Sequence, residues 1–225
     1  MSTVPASAAA TRKSASQLLE DALQAAQHAG SVQFKDKTTS GKNVQNLEGA
    51  ISASTASETL SSTGTPLQVQ LIGGTAYING SATALASALQ ITPAQATSVA
   101  GKWIVVSSTD APFKKLTNAL TLSSSLSDFA AKSGHSLHIG KTQHLDGHSV
   151  IPIVGVPLQT LSKGTTGSVA LYLSPKAPYL PVAGSLVLAN KSERLTEVAV
   201  FGNWGAKVSL TAPTGGIAFS SIQGG

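Results

Sequence analysis

The chain has 225 residues, a formal net charge of +5 and a calculated pI near 9.5. Charged residues make up only 11% of it, against roughly 25% in an ordinary soluble domain, which disfavours a helical bundle and favours a β-rich protein with many turns. Cysteine is absent, which excludes disulfides and thiolate chemistry, and the scattered lysines and 4% aromatic content disfavour nucleic-acid binding.

The N-terminal region divides into a tether and a helix. Residues 1–13 are small, contain proline and have no periodicity, so we predict a disordered tether. Ser14 and Gln17 have the spacing of a capping box, and Gly30 is a typical helix stop. An apolar stripe at helical spacing lies between them, which predicts a helix near residues 14–28.

The next segment changes to a period of two. Apolar and polar residues alternate over 32–35, 47–51 and 67–71, which is typical of half-buried strands. Short polar turns separate them, so we predict an antiparallel meander. Asn79-Gly80 is a turn signal that would end a further strand at Tyr77-Ile78.

The middle of the chain is mostly helical. A short helix is predicted over 81–89, and Thr92, Pro93 and Gln95 begin another with an N-cap, a first-turn proline and a capping-box glutamine. Residues 102–106 are predicted to form a strand. Two more helices are predicted, one from Asp110 to Leu120 and one from Leu122 that closes at Gly134.

The last third returns to strands. Asp146-Gly147 is the strongest hairpin signal in the chain, and it joins strands at 137–145 and 148–154. Further strands are predicted at 168–173, 184–189, 195–201 and 208–210. The order of elements predicts an α+β fold, in which helices near 14–28, 92–100 and 123–132 pack on one face of a single antiparallel sheet.

Four histidines, His135, His138, His144 and His148, form the one group that resembles a metal site. Strand parity places His135 and His138 on opposite faces. In a two-residue hairpin, Leu145 opposes His148 and His144 opposes Ser149, so His144 and His148 also face opposite ways. We therefore interpret them as surface hairpin residues and predict no metal.

Catalytic motifs are absent from the sequence. No Gly-x-Ser-x-Gly elbow, His-Glu-x-x-His or full phosphate-binding Gly-x-x-x-x-Gly-Lys-Ser/Thr motif occurs. The ten acidic residues are spread thinly, and nothing in their spacing indicates the two converging carboxylates of a general acid–base pair. We predict that the protein is not an enzyme and needs no cofactor; convergence in space is the alternative that the sequence leaves open.

A family resemblance rests on short segments in a fixed order. The segments are Ala76–Gly80, Gly101–Ile104, Asp146-Gly147, Leu171–Leu173 before Leu180–Val182, and Phe201–Gly205 before Ala212-Pro213. Together they resemble actinobacterial envelope lipoproteins of the superfamily that includes LolA, LprG and LppX. The resemblance covers roughly residues 14–213.

The resemblance implies an unclosed, strongly curved antiparallel half-barrel with helices on its concave face. It also implies an extracytoplasmic, monomeric protein, with a single domain at 14–225 and a signal peptide and lipidated cysteine outside this sequence. The tether at 1–13 would follow that anchor. Between the sheet and the helices lies a cavity for acyl chains, and its predicted wall consists of Val32, Phe34, Ile51, Val69, Leu71, Ile104, Leu126 and Phe129.

Two functions fit this fold. The first is a carrier of lipid or other hydrophobic ligands, since burying about 15 methylenes at about 0.8 kcal/mol each gives a gross gain of about 12 kcal/mol without a specific polar site. The second is an accessory envelope protein with a filled core, which acts by contact with other proteins. A fold with a filled core and a fold with an open cavity would have the same sequence pattern.

Overall fold

The computed structural model describes residues 13–62, 66–118, 120–131, 136–157 and 162–223. The helices in these ranges are α1 (Ala15–Ala29), α2 (Ala82–Leu89), α3 (Pro93–Val99), α4 (Phe113–Asn118), α5 (Leu122–Ser127) and α6 (Phe219–Gln223). The strands of the first half are β1 (Ser31–Ser40), β2 (Asn43–Ser52), β3 (Thr55–Ser62), β4 (Leu67–Ile72), β5 (Thr75–Gly80) and β6 (Ile104–Val106). Those of the second half are β7 (His138–Ile139), β8 (Gln143–Leu145), β9 (His148–Gly155), β10 (Thr166–Leu173), β11 (Pro181–Ala189), β12 (Arg194–Gly202) and β13 (Ile217–Ala218).

Helix α1 begins and ends where the sequence predicts. The Ser14 side chain accepts from the Gln17 backbone N–H and the Gln17 side chain accepts from the Ser14 N–H, which satisfies two otherwise unpaired donors. Gly30 ends the helix with a left-handed φ of 72°. Its buried stripe is Leu18, Leu19, Ala22 and Ala26. Thr92 and Gln95 form the same capping box at α3.

One sheet contains all the strands, and it is not closed into a barrel. Strands β1 to β6 form one meander and β9 to β12 form another, and β1 pairs with β12 to join them. The inward positions of both meanders bury one hydrophobic cluster, so the α+β half-barrel is confirmed. One pairing departs from the predicted antiparallel sheet: β13 pairs with β6 in parallel at the edge.

Two details of the first meander differ from the prediction. Strand β3, with the sequence TASETLSS, has too few apolar residues to show an alternating pattern, and it was not predicted. The prediction of a turn at Asn79-Gly80 was wrong, because both residues lie inside β5 and the Asn79 amide donates to the Gly101 carbonyl at 2.8 Å. The β4–β5 turn is Gly73-Gly74, with φ values of 58° and 81°.

Helices lie over the concave face. Helix α1 contacts α5 and the strands β1, β9 and β11, while α2 and α4 contact β5. Helix α5 is shorter than the helix predicted from Leu122, and Gly134, its predicted end, lies outside the described residues. Beyond α5, the Phe129 ring packs on the backbone of Gly184, where a Cβ atom would collide with it.

The predicted tether lies almost entirely outside the described residues. Its last member, Lys13, forms an ion pair with Asp21 of α1 and places its ammonium group 5.3 Å from the centre of the Tyr179 ring. Among the described residues, no helix combines the length and apolar character needed to cross a membrane.

Candidate functional site

The eight residues predicted to line a cavity lie together on the concave side. Seven of them are at most 8% exposed and belong to the hydrophobic core, and Leu71 is partly buried against the same cluster. For the six of them that lie on strands, alternation gave the inward direction, and their role in binding a ligand stays a prediction. Two of the eight, Phe34 and Phe129, also line an open cavity.

That cavity has a volume of about 330 Å³ and lies between the concave face of β1, β2, β3 and β12 and the segment around α5. Its apolar walls are Phe34, Leu47, Leu60, Phe129 and Phe201. Known ligand sites range from about 300 to 1,000 Å³. The cavity is thus at the small end of that range, enough for part of an amphiphile.

Aromatic contacts hold the cavity wall in place. Phe34 and Phe201 are paired across β1 and β12, and the Phe201 ring meets Phe129 edge-on with centroids 5.8 Å apart. On its other side Phe201 lies 6.2 Å from Trp204, whose indole N–H donates to the Pro181 carbonyl at 2.7 Å. The wall is therefore fixed to the strands β1, β11 and β12.

Four carboxyl groups line the same cavity: Asp36, Glu58, Asp128 and Glu197. Three of them occupy inward strand positions, two residues from Phe34, Leu60 and Ala199 respectively, and Asp128 comes directly after α5. Acidic residues therefore do converge in space, which is the alternative that the sequence left open. For Asp36 and Glu197 the available signal was an acid in phase with apolar neighbours on a period-two strand, a signal that β3 does not give for Glu58.

Burial changes the acidity of these groups. It raises the pKa of Glu58 to about 7 and, with the nearby Asp36 charge, that of Glu197 to about 8. Burial also raises the pKa of Asp36 and, at the rim, of Asp128. The charge of Asp36 thus favours a proton on its neighbour Glu197.

The lining includes no lysine, arginine or histidine among the described residues. With its pKa raised to about 8, the Glu197 carboxyl group favours the protonated form at neutral pH, and in that form it can donate a hydrogen bond to a neutral oxygen acceptor. An anionic group would be repelled by the remaining carboxylates. The arrangement suits an apolar chain with an uncharged or cationic polar group.

The described histidines do not line the concave cavity. Leu145 pairs with His148 and His144 with Ser149, which confirms the predicted register of the hairpin. His144 lies 3.1 Å from the Ser149 hydroxyl, and His138, His144 and His148 are all exposed. His135 lies outside the described residues, and within them no three potential metal-ligating side chains are grouped.

Comparisons with known proteins give similarity at the level of structure. No protein-family model matches the chain, and no curated protein matches it. The crystal structure of MucB in complex with MucA(peri) is 15% identical over 89% of this chain, with a TM-score of 0.41. This chain spans 60% of the length of that MucB chain.

Two other solved structures are also similar to this chain. A LolA-superfamily protein from Nitrosomonas europaea is 9% identical, covers 85% of this chain and 92% of its own, and has a TM-score of 0.28. A putative outer membrane lipoprotein-sorting protein domain from Vibrio parahaemolyticus is 12% identical over 82% of this chain and 94% of its own, with a TM-score of 0.26.

Proposed function

We propose that this chain is a non-enzymatic binder or carrier of hydrophobic ligands that acts outside the cytoplasm. The apolar part of the ligand would enter the cavity between the concave sheet face and the α5 segment. The observation that carries the proposal is the cavity of about 330 Å³ with walls of phenylalanine and leucine. The protein would be monomeric and anchored by a lipid upstream of a tether at residues 1–13.

The carboxyl groups favour one class of polar group on that ligand. Glu58 and Glu197, with pKa values of about 7 and 8, are partly protonated near neutral pH and can donate to ester, amide or hydroxyl oxygens. A free carboxylate would meet repulsion from its unprotonated neighbours. Neutral acylated molecules therefore suit the site better than free fatty acids.

A specific observation favours a second candidate, the accessory protein with a filled core. Val32, Ile51 and Ile104 are at most 1% exposed and lie in the hydrophobic cluster. Native packing of this kind leaves few voids larger than a water molecule. If the cavity near α5 does not take ligand, contact with other proteins is the remaining function.

A pair of tryptophan variants tests the carrier proposal. Leu60→Trp places a large ring in the cavity, so it should weaken binding of the uncharged probe N-phenylnaphthylamine at least about tenfold while leaving the fold intact. Val69 is 8% exposed and belongs to the core rather than the cavity lining. Val69→Trp should therefore cost roughly 1–3 kcal/mol of stability by overpacking, yet bind the probe normally when folded.

Probe titrations and urea unfolding of both variants check these expectations. Competition with a neutral monoacylglycerol should displace the probe, and dodecanoate should compete less well at this site. Normal probe binding by Leu60→Trp, or no binding by the unchanged protein, would contradict the carrier proposal and favour the accessory one.

A further inference from the structure

A second and larger groove lies on the outer face of the sheet. It has a volume of about 940 Å³ and lies between the β8–β9 hairpin and the outer face of β10, β11 and β12. Val198, Val200, Ala183 and Tyr172 contribute to its lining. Its volume is within the range of small-molecule sites, and it does not share the concave cavity's carboxyl groups.

The groove exposes apolar side chains where an outer sheet face is normally polar. Val198 is 51% exposed and Val200 is 50% exposed, although β12 is paired on both sides. Their neighbours Glu197, Ala199 and Phe201 point to the concave side. The two valines are about 7 Å apart along the strand, so they form a continuous apolar strip beneath the hairpin.

Cationic side chains border this strip. Lys37 pairs directly across from Val198, and Lys35 pairs directly across from Val200. Lys176 lines the groove at its other side. Within the described part of the chain, neither Lys37 nor Lys176 forms an ion pair, and Lys35 lies 3.9 Å from Glu48.

The acidic groups nearby are fewer. Asp146 lines the groove, but it occupies the hairpin turn with a φ of 49°, where the backbone requires an Asp, Asn or Gly residue. Lys35, Lys37 and Lys176 stand against Asp146 and Glu48, which leaves one net positive charge next to the exposed apolar strip. That pattern complements a molecule with a hydrocarbon chain and a negative head group.

We propose that this outer groove is a second binding site, for a single-chain anionic amphiphile. The chain would lie along Val198 and Val200, and the acidic head would meet Lys176 or Lys37. The inference does not rest on the function proposed for the concave cavity. The two sites select opposite head groups, since one is lined by carboxyl groups and the other is bordered by lysines.

The test uses dansyl-labelled undecanoic acid as the probe, below its micelle concentration. Dodecanoate should displace it, whereas dodecyltrimethylammonium of the same chain length should displace it at least about tenfold less well. Val200→Glu and the milder Val198→Thr should weaken probe binding, the first by at least about tenfold. Lys176→Gln should weaken it by about threefold or more, with a matching loss of salt dependence.

Matched controls separate this site from the others. Val156 is 38% exposed and does not line the groove, so Val156→Glu makes the same change elsewhere and should bind the probe normally. Lys141→Gln is the corresponding control for Lys176→Gln. Leu60→Trp should also leave binding of this anionic probe unchanged.

Three results would overturn the proposal. One is equal probe binding by Val200→Glu and Val156→Glu. Another is loss of anionic-probe binding in Leu60→Trp, which would assign that probe to the concave cavity. The third is binding to anionic phosphatidylglycerol vesicles without displacement by monomeric dodecanoate, which would identify a membrane surface as the partner.

Discussion

At the scale of single residues, the main feature is the placement of carboxyl groups against aromatic walls. Glu58 and Glu197 line a cavity with Phe34 and Phe201, and no described cation compensates them there. An ionised carboxylate in such a place is costly, and taking up a proton avoids that cost. The folded protein therefore binds protons that the unfolded chain releases.

This proton uptake makes stability depend on pH. Because the pKa of Glu58 rises from 4.5 to about 7 on folding, its contribution is fully present below about pH 4.5 and is lost as the pH rises to about 7. Glu197 extends the same loss to about pH 8. The pKa values of Asp36 and Asp128 are also raised, so these two groups likewise lose their contribution to stability as the pH rises.

Glu58→Gln removes one of these titrations while keeping the shape of the side chain. We expect the variant to lose less stability than the unchanged protein between about pH 5 and 8, by on the order of 1–3 kcal/mol. Urea unfolding at several pH values measures this difference. Glu48→Gln is the control, since Glu48 is exposed on the outer face and should leave the pH profile as it is. Parallel profiles for Glu58→Gln and the unchanged protein would refute the account.

The inward placement of these carboxyl groups could be predicted from the sequence only in part. Glu197 lies in an alternating strand, in phase with Phe201, so its inward direction could be predicted from parity alone. The inward direction of Glu58 could not be predicted in this way, because β3 consists mostly of small and polar residues and shows no alternation of apolar residues. Its orientation depends on pairing with β2 and β4, which the local sequence does not specify.

At the scale of elements, most local signals were reliable, with the turn predicted at Asn79-Gly80 as an exception, and long-range pairings were not visible. The capping boxes of α1 and α3 and the Asp146-Gly147 turn act within a few residues, and each lies where it was predicted. The parallel pairing of β13 with β6 joins segments more than one hundred positions apart. Chain segments this distant meet only through the completed core, so no local pattern reports them.

The contact between the α5 segment and the sheet provides a prediction at this scale. Gly184 of β11 has no side chain because the Phe129 ring occupies the space that a Cβ atom would need. Gly184→Ala should therefore push Phe129 away from the sheet and cost roughly 1–3 kcal/mol. The free energy of unfolding in urea measures the cost.

Gly202 of β12 is a suitable control for that substitution. A Cβ atom there would meet nothing within 4 Å, and its backbone is not left-handed. Gly202→Ala should change stability by no more than about 0.5 kcal/mol. Equal effects at both glycines would mean that Phe129 does not hold the α5 segment on the sheet.

At the scale of the whole molecule, the sheet separates two kinds of surface. Its concave side joins the core to a cavity with carboxyl groups, and its outer side carries lysines next to exposed valines. The outer face therefore has the same sign of charge as the whole protein, whose net charge is +5, whereas the concave cavity is lined by acidic groups. Alternation along β1 and β12 produces both surfaces from the same strands.

The same alternation explains how far the candidate site could be predicted. It assigned Phe34 to the concave side, where it lines the cavity, and it assigned Val32 and Ile51 to the same side, where they fill the core. The period of a strand gives the direction of each side chain. Whether neighbouring side chains leave a void depends on how distant elements pack. The period of a strand gives no information on that packing.

Native mass spectrometry of the protein purified from a bacterial envelope fraction tests the central claim most directly. We predict that the unchanged protein carries the added mass of a neutral acylated molecule, and that Val200→Glu retains it. Leu60→Trp should lose it, because the ring fills the concave cavity. A spectrum of the unchanged protein without added mass under gentle conditions, or an adduct that Leu60→Trp retains, would contradict the proposal that this cavity holds a hydrophobic ligand.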